Sequence, residues 1–174
     1  REIRRKYGQN YLKDPAVLFE MGEAITANHL DNFIEIGPGL GALTNQINKK
    51  GVNIIGVDID AKNIEILKTK FKGPANFQFI NKDILKYDLT VSETNNRVVG
   101  NLPYNISTQI ILNLIESSSK IVDMHFLVQK EVAQKITGNV STKNWGKLAI
   151  KISAFFSSEI LFDVSPDAFD IKPK

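Results

Sequence analysis

Short apolar runs rich in Ile, Val and Phe alternate along this chain with stretches whose apolar residues recur at helical spacing, and no internal repeat or low-complexity segment interrupts them. That order predicts a mostly parallel sheet covered by helices, because parallel neighbours need a crossover between them. The pattern sets strands at Asn32 to Ile36, Asn53 to Asp58, Asn76 to Ile80, Arg97 to Gly100 and Asp123 to Val128. Helices fit between them from about Leu40, Ala61 and Ser107, with another from about Lys130. The first helix is the best marked. Asp14 can cap it, Pro15 suits its first turn, and Val17, Leu18, Met21, Ala24 and Ile25 form one apolar face that runs out near Asn28. The tail from Lys147 to Phe162 is rich in Ile, Phe and Ala and predicts a final antiparallel hairpin around Ser157 and Ser158, while "LKYDLTVSETNN" reads as a surface loop.

Composition narrows what such a sheet can do. The chain has 174 residues, 43% of them hydrophobic, enough for one good core and a single domain over residues 1–174. A formal charge of +3 permits a nucleic-acid partner without establishing one. Cysteine is absent, which removes disulfides, thiolate nucleophiles and cysteine-ligated metals together. No apolar run approaches the roughly 20 residues that span a bilayer. The start "REIRRKYGQNYL" is basic with no apolar region behind it, so no signal peptide is read and a soluble intracellular protein is expected. The chain begins at Arg1 without Met and stops at "DIKPK", and reads as incomplete at both ends.

Chemistry is concentrated at the predicted strand ends. In "FIEIGPGLGALT" a strand closing on Glu35 and Ile36 runs through Gly37, Gly39 and Gly41 into a helix. Glycine lets backbone approach a ligand closely. The spacing is shorter than a dinucleotide fingerprint and Pro38 removes an amide, which weakens a pyrophosphate reading; a plain tight turn is the alternative. "NIIGVDID" ends on Asp58, one βαβ step later, where a carboxylate can accept from ribose hydroxyls. Asp60 faces the other way and suits a helix cap. Asp83 in "FQFINKDIL" repeats the position; it could accept from an adenine amine or simply cap a turn. Together the three strand ends describe an adenosine-bearing ligand.

A fourth strand ends in "GNLPY" on the same rim. Asn101 offers an amide oxygen to an exocyclic amine, Pro103 stiffens the turn, and Tyr104 presents a flat face for a base. A plain turn is again the alternative for the tetrapeptide in isolation; beside the other three strand ends, the constellation points to a planar amine drawn out of a helix.

These residues also carry a family resemblance. "KYGQNYL", "EIGPGLGALT", "NLPYNIST", "FLVQKEVAQKI" and "SPDAFDIKPK" resemble, in order and over nearly the whole chain, the blocks of the KsgA family of ribosomal RNA adenine dimethyltransferases, which use S-adenosylmethionine. The resemblance implies a Rossmann-like α/β methyltransferase fold, a twisted and mostly parallel sheet with helices on both faces. Residues 1–13 would form a lid segment, and the family's small carboxyl-terminal helical domain for RNA docking is expected but not found here. By the same resemblance Gln9, Asn10 and Leu12 close over the cofactor. Glu35, Gly37, Gly39 and Gly41 meet its methionine part, Asp58 its ribose and Asp83 its adenine, with Ile59 and Ile84 also binding the cofactor. Asn101, which also borders the cofactor, would join Leu102, Pro103 and Tyr104 on the target adenine, with Phe169 packing on the base's other side. Tyr11 stands where the family usually has Phe.

Adenine's amine is a poor nucleophile because its lone pair is delocalised into the ring. Asn101 and the Leu102 carbonyl are expected to accept its two hydrogens and aim the lone pair at a sulfonium methyl, so alignment carries the rate and neither metal nor general base is called for. The expected partner is small-subunit ribosomal RNA in an immature subunit, met by a monomer in the cytoplasm, or in mitochondria for an organelle homologue. Arg1, Arg4, Arg5 and Lys6 suit phosphates but also read as a solvated end. Lys143, Trp145 and Lys147 mix cations with an aromatic that could equally anchor its loop, His125 reads as a core residue, and Lys130 and Glu131 as a helix start. Two other readings stay open: the Erm enzymes of large-subunit RNA, and a non-catalytic ribosome-assembly or mitochondrial transcription factor on the same fold.

Overall fold

Asp14 opens the first helix as expected. In the computed structural model, which describes residues 10–48, 51–73, 76–89, 95–138 and 140–172, its Oδ1 accepts from the amides of Ala16 at 2.8 Å and Val17 at 3.3 Å. This helix, α1 (Pro15–Ile25), stops short of Asn28 because Thr26 takes a left-handed conformation with φ 49°. Its end is held from outside. The Arg97 guanidinium donates to the carbonyls of Ile25 at 2.6 Å and Thr26 at 3.4 Å, so tertiary contact rather than local pattern sets the boundary.

Five strands follow: β1 (Asn32–Ile36), β2 (Asn53–Asp58), β3 (Phe77–Asn81), β4 (Asn96–Asn101) and β5 (Ile121–Leu127). All pair in parallel, in the order β3-β2-β1-β4-β5. The crossovers carry α2 (Ala42–Asn48), α3 (Ala61–Lys70) and α4 (Ser107–Glu116), and α5 (Lys130–Ile136) and α6 (Lys147–Ser153) come after β5. The "LKYDLTVSETNN" loop opens with a short 3-10 turn at Ile84–Lys86 and meets β4 at Asn96; its residues 90–94 lie outside the described residues.

Side-chain alternation along the strands builds two cores. Phe33 and Val99 face Leu18, Met21 and Ile25 of α1 and Leu43 and Ile47 of α2. Ile34, Ile36 and Val98 face the opposite way, onto Ile110, Ile111 and Leu114 of α4 and Ile152 of α6. Arg97, on β4, links the ends of several elements: it bonds Asp31 at 2.7 Å and Asp123 at 2.8 Å, and lies 5.1 Å from the centroid of the Phe33 ring.

The expected terminal hairpin is corrected. Lys147–Ser153 is helix, burying Ala149 and Ile152, because "KLAIKIS" sets Leu148, Ala149 and Ile152 on one helical face. Beyond it, residues 156–165 are irregular, and no strand pairs with them among the described residues.

Candidate functional site

The sheet order reverses between β1 and β4, and ligands of open parallel sheets bind outside the carboxyl ends of the strands at such a point. Gly37 follows β1 there and Asn101 closes β4; a Cβ on Gly37 would stand 4.0 Å from the Asn101 carbonyl oxygen. A cavity opens at this junction. It is lined by Gly37 and Gly39 after β1, Asp58 and Ile59 at the end of β2, Asp83 and Ile84 after β3, and Asn101 to Ile106 from the end of β4, with Asn10 and Tyr11 also on its wall.

Gly37, Gly39 and Gly41 all take positive φ, at 62°, 56° and 78°, which a side chain would strain. Their amides are spent internally, on the Val57 carbonyl at 2.9 Å, on Asp58 Oδ2 at 3.1 Å and on the Pro38 carbonyl at 2.8 Å. The loop therefore offers these three donors to no phosphate, and serves as a close backbone wall beneath a ligand.

Asp58 is 3% exposed. Its Oδ1 accepts from the Asp60 amide at 2.8 Å, and its Oδ2 from Gly39 and from Asn63 Nδ2 at 3.0 Å. Burial pushes this carboxyl above the usual aspartate range, with those three donors opposing. A carboxylate has about four lone-pair directions, so roughly one remains for a ligand hydroxyl. Asp60 caps α3 through the Lys62 amide. Asp83 caps the 3-10 turn with Oδ1 on the Leu85 amide at 3.0 Å, so its cap reading holds while it still lines the cavity. Ile59 and Ile84 add apolar surface to the cavity wall. A ribose hydroxyl on Asp58 and a flat base against these isoleucines match this acceptor and apolar lining, which is the fit an adenosine-bearing cofactor needs.

On the β4 side, Leu102 is fully buried and its amide donates to the Leu127 carbonyl of β5 at 3.0 Å, which pins the turn to the sheet. Asn101 Nδ2 donates to the Asn10 carbonyl at 2.7 Å. Its Oδ1 is thereby left as the group's acceptor. Tyr104 is half-buried; burial pushes its phenol up, with the Asn10 side chain partly opposing.

Not every expected residue reaches the cavity. Glu35 is buried beneath the loop, where Thr44 Oγ1 donates to it at 2.5 Å, and burial raises its carboxyl to about 7. It ties β1 to α2 and does not line the cavity. Leu12 and Phe169 form an antiparallel bridge and both belong to the α1 core, at 8% and 4% exposure. Phe169 does not line this cavity but lines, together with Tyr104, a second one beside β5. Gln9, Arg1, Arg4, Arg5 and Lys6 lie outside the described residues. Trp145 is half-buried between exposed Lys143 and Lys147, and His125 is partly buried with Nδ1 unbonded. Tyr11 and Asn63, by contrast, join the site without having been singled out for it; Tyr11's departure from the family pattern was the available signal.

A parallel sheet of this order, with an acid closing β2, an acid after β3 and Asn-Leu-Pro-Tyr running on from the end of β4, has the Rossmann-like methyltransferase fold. The comparisons make this specific. A family model described as ribosomal RNA adenine dimethylase matches residues 1–174, and the chain belongs to that family. It is 40% identical over 175 residues to a ribosomal RNA small subunit methyltransferase A of Marinobacter nauticus, covering 99% of this chain and 63% of that protein. It is 41% identical over 176 residues to the protein of the same name from Pseudomonas fluorescens, covering 99% and 65%. The chain thus spans less than two thirds of the length of these relatives. Among solved structures, the 23S rRNA methyltransferase ErmE superposes with a TM-score of 0.83 at 25% identity, covering 95% of this chain and 66% of that one. A dimethyladenosine transferase from Plasmodium falciparum gives 0.81 at 27% identity, covering 94% and 59%.

Proposed function

We propose that this domain transfers methyl groups from S-adenosylmethionine to the N6 amine of adenosines in small-subunit ribosomal RNA, giving N6,N6-dimethyladenosine during ribosome maturation. The observation that carries the reading is the shared cavity at the β1/β4 junction, where Asp58, Asp83 and Ile84 stand on one side and Asn101 and Tyr104 on the other. Two ligands of nucleoside type meet there.

The cofactor, when bound, supplies an electrophilic methyl group. Asp58 would hold its ribose, Asp83 and Ile84 its base with Ile59 also lining the cofactor's side, and the Gly37 to Gly41 backbone would underlie its amino-acid end. Asn101 Oδ1 and the Leu102 carbonyl accept the two hydrogens of the target amine and turn its lone pair toward the cofactor side. Tyr104 stacks on the extruded base, an interaction of about 1–3 kcal/mol. Pro103 keeps that turn rigid, so much of the rate comes from alignment. The ammonium formed when the amine takes the methyl group is acidic enough to release its proton to water, and the second transfer needs one acceptor to tolerate a methyl group. Phe169, which shares a second cavity with Tyr104, would pack on the other side of the target base.

Small-subunit RNA is preferred over large-subunit RNA because relatives at 40–41% identity carry the small-subunit name, against 25% for the Erm structure. In this proposal the protein works as a monomer in the cytoplasm, on immature subunits. The test is incubation with methyl donor and undermethylated small or large subunits in parallel, followed by nucleoside mass spectrometry. Dimethyladenosine from small subunits alone is expected. Product from large subunits alone would transfer the assignment to the Erm type, and product from neither, with cofactor bound, would support the non-catalytic reading.

A further inference from the structure

Tyr11 lines the cavity with its ring against the glycine loop, so close that a Cβ on Gly39 would lie 2.8 Å from its Cε1. A phenylalanine could make that contact equally well. What the tyrosine adds is a hydroxyl, and that hydroxyl reaches Asn63 of α3, at 3.2 Å from Oδ1 and 3.1 Å from Nδ2. Asn63 is 4% exposed, and its Nδ2 also donates to Asp58 Oδ2 at 3.0 Å. The backbone of Tyr11 is fixed independently: its amide donates to Asp170 Oδ1 at 3.0 Å and its carbonyl accepts from the Asp170 amide at 2.9 Å. One residue earlier, the Asn10 carbonyl accepts from Asn101.

We propose that Tyr11 and Asn63 are positioning residues for the cofactor's ribose, a hydroxyl–amide relay that fixes the Asp58 carboxylate and makes its orientation depend on the seating of the amino-terminal segment. The chemistry is that of a buried primary amide. Asn63 brings two N–H donors and one acceptor, and in a closed site these must be met. One donor is used on Asp58; the Tyr11 hydroxyl lies against the rest. Without that hydroxyl the amide is left under-satisfied and must turn to find other partners, which releases Asp58 Oδ2 from one of its two donors. The carboxylate then no longer presents one defined lone pair to the cavity. Because residues 10 and 11 touch Asn101 and Asn63 respectively, the same short segment aligns the acceptor for the target amine and the acceptor for the ribose.

The relay rests on the reading that a ribose lies on Asp58, and the test separates the two. Isothermal titration compares S-adenosylhomocysteine with its 2′,3′-dideoxy analogue on wild type, Tyr11→Phe, Asn63→Ala and the double variant, with thermal unfolding run alongside. Loss of one relay hydrogen bond corresponds to a roughly three- to tenfold weaker affinity. We expect Tyr11→Phe to weaken the parent compound by that factor and leave the dideoxy analogue unchanged. In the Asn63→Ala background it should add nothing. Equal weakening of both ligands would assign Tyr11 to ring packing and overturn the relay, as would wild-type affinity for both. Wild type that binds neither compound would overturn the ribose reading and the relay with it.

Discussion

The side chain of Asn101 is held by the chain's own amino-terminal segment, its Nδ2 donating 2.7 Å to the carbonyl of Asn10. This bond fixes which end of the amide faces the cavity. Replacing Asn101 with Ala removes an acceptor that matters most as the amine becomes tetrahedral, and the expected result is a fall of about 100- to 1000-fold in kcat, the range for one transition-state hydrogen-bond partner. Cofactor affinity should fall far less. Single-turnover methyl transfer alongside a cofactor titration checks the split.

Tyr104 is assigned to the base, not the cofactor. Tyr104→Ala should leave cofactor affinity unchanged and lower kcat/KM by about 5- to 150-fold, the equivalent of about 1–3 kcal/mol of stacking. Tyr104→Phe should retain most of the activity, because the ring face is what stacks. A large loss in the Phe variant would shift the role to the phenol.

Asp58→Ala should weaken S-adenosylhomocysteine binding more than any other single change in the cofactor half, measured by calorimetry. It also strands the Asn63 amide and two backbone donors, so the melting temperature falls with it. Asp58→Asn tests the charge: it retains one acceptor oxygen but sets an NH2 either against the Asp60 amide or against the Gly39 amide and Asn63 Nδ2.

Much of this site could be read before any coordinates. β1 and β2 fall where the alternation set them, and Asp14 and Asp60 cap the helices they precede, because each is a local arrangement fixed by neighbouring residues. Asp58, Asp83, Asn101 and Tyr104 were legible for a related reason: in a parallel sheet, residues just after strands share one rim, whatever their separation in sequence. What stayed hidden depends on contacts distant in sequence. The Leu12 and Phe169 pairing draws both into the core, and α1 ends where Arg97 grips it. The stretch at Lys147–Ser153 shows ambiguity of another kind, since a short apolar run suits helix or strand equally until its partners are known.

Arg97 predicts a stability effect remote from the chemistry. Arg97→Ala leaves Asp31 and Asp123 unpaired and uncaps α1; because both carboxylates are partly exposed, the expected cost is about 3 kcal/mol, the lower end for breaking a buried pair. Urea denaturation measures it. Arg97→Lys should recover only part, since an ammonium cannot serve two carboxylates and two carbonyls in one plane.

Glu35 predicts a pH dependence. Burial holds its folded-state carboxyl at about 7 against an ordinary 4.5. Between those values the folded state binds more protons than the unfolded one, so stability falls as pH rises from 4.5 toward 7 and levels off above. The full loss is on the order of 3 kcal/mol. Glu35→Gln should flatten that part of the profile; parallel slopes for the two proteins in denaturation from pH 4 to 8 would show that Glu35 does not titrate there.

The most direct measurement of the central claim is a crystal structure of the protein with S-adenosylhomocysteine and adenosine monophosphate bound together. The account predicts the cofactor's ribose on Asp58 and its adenine beside Ile84, with the second adenine stacked on Tyr104 and its N6 within hydrogen-bonding distance of Asn101 Oδ1. A target adenine bound elsewhere, or a cofactor lying away from Asp58, would contradict it.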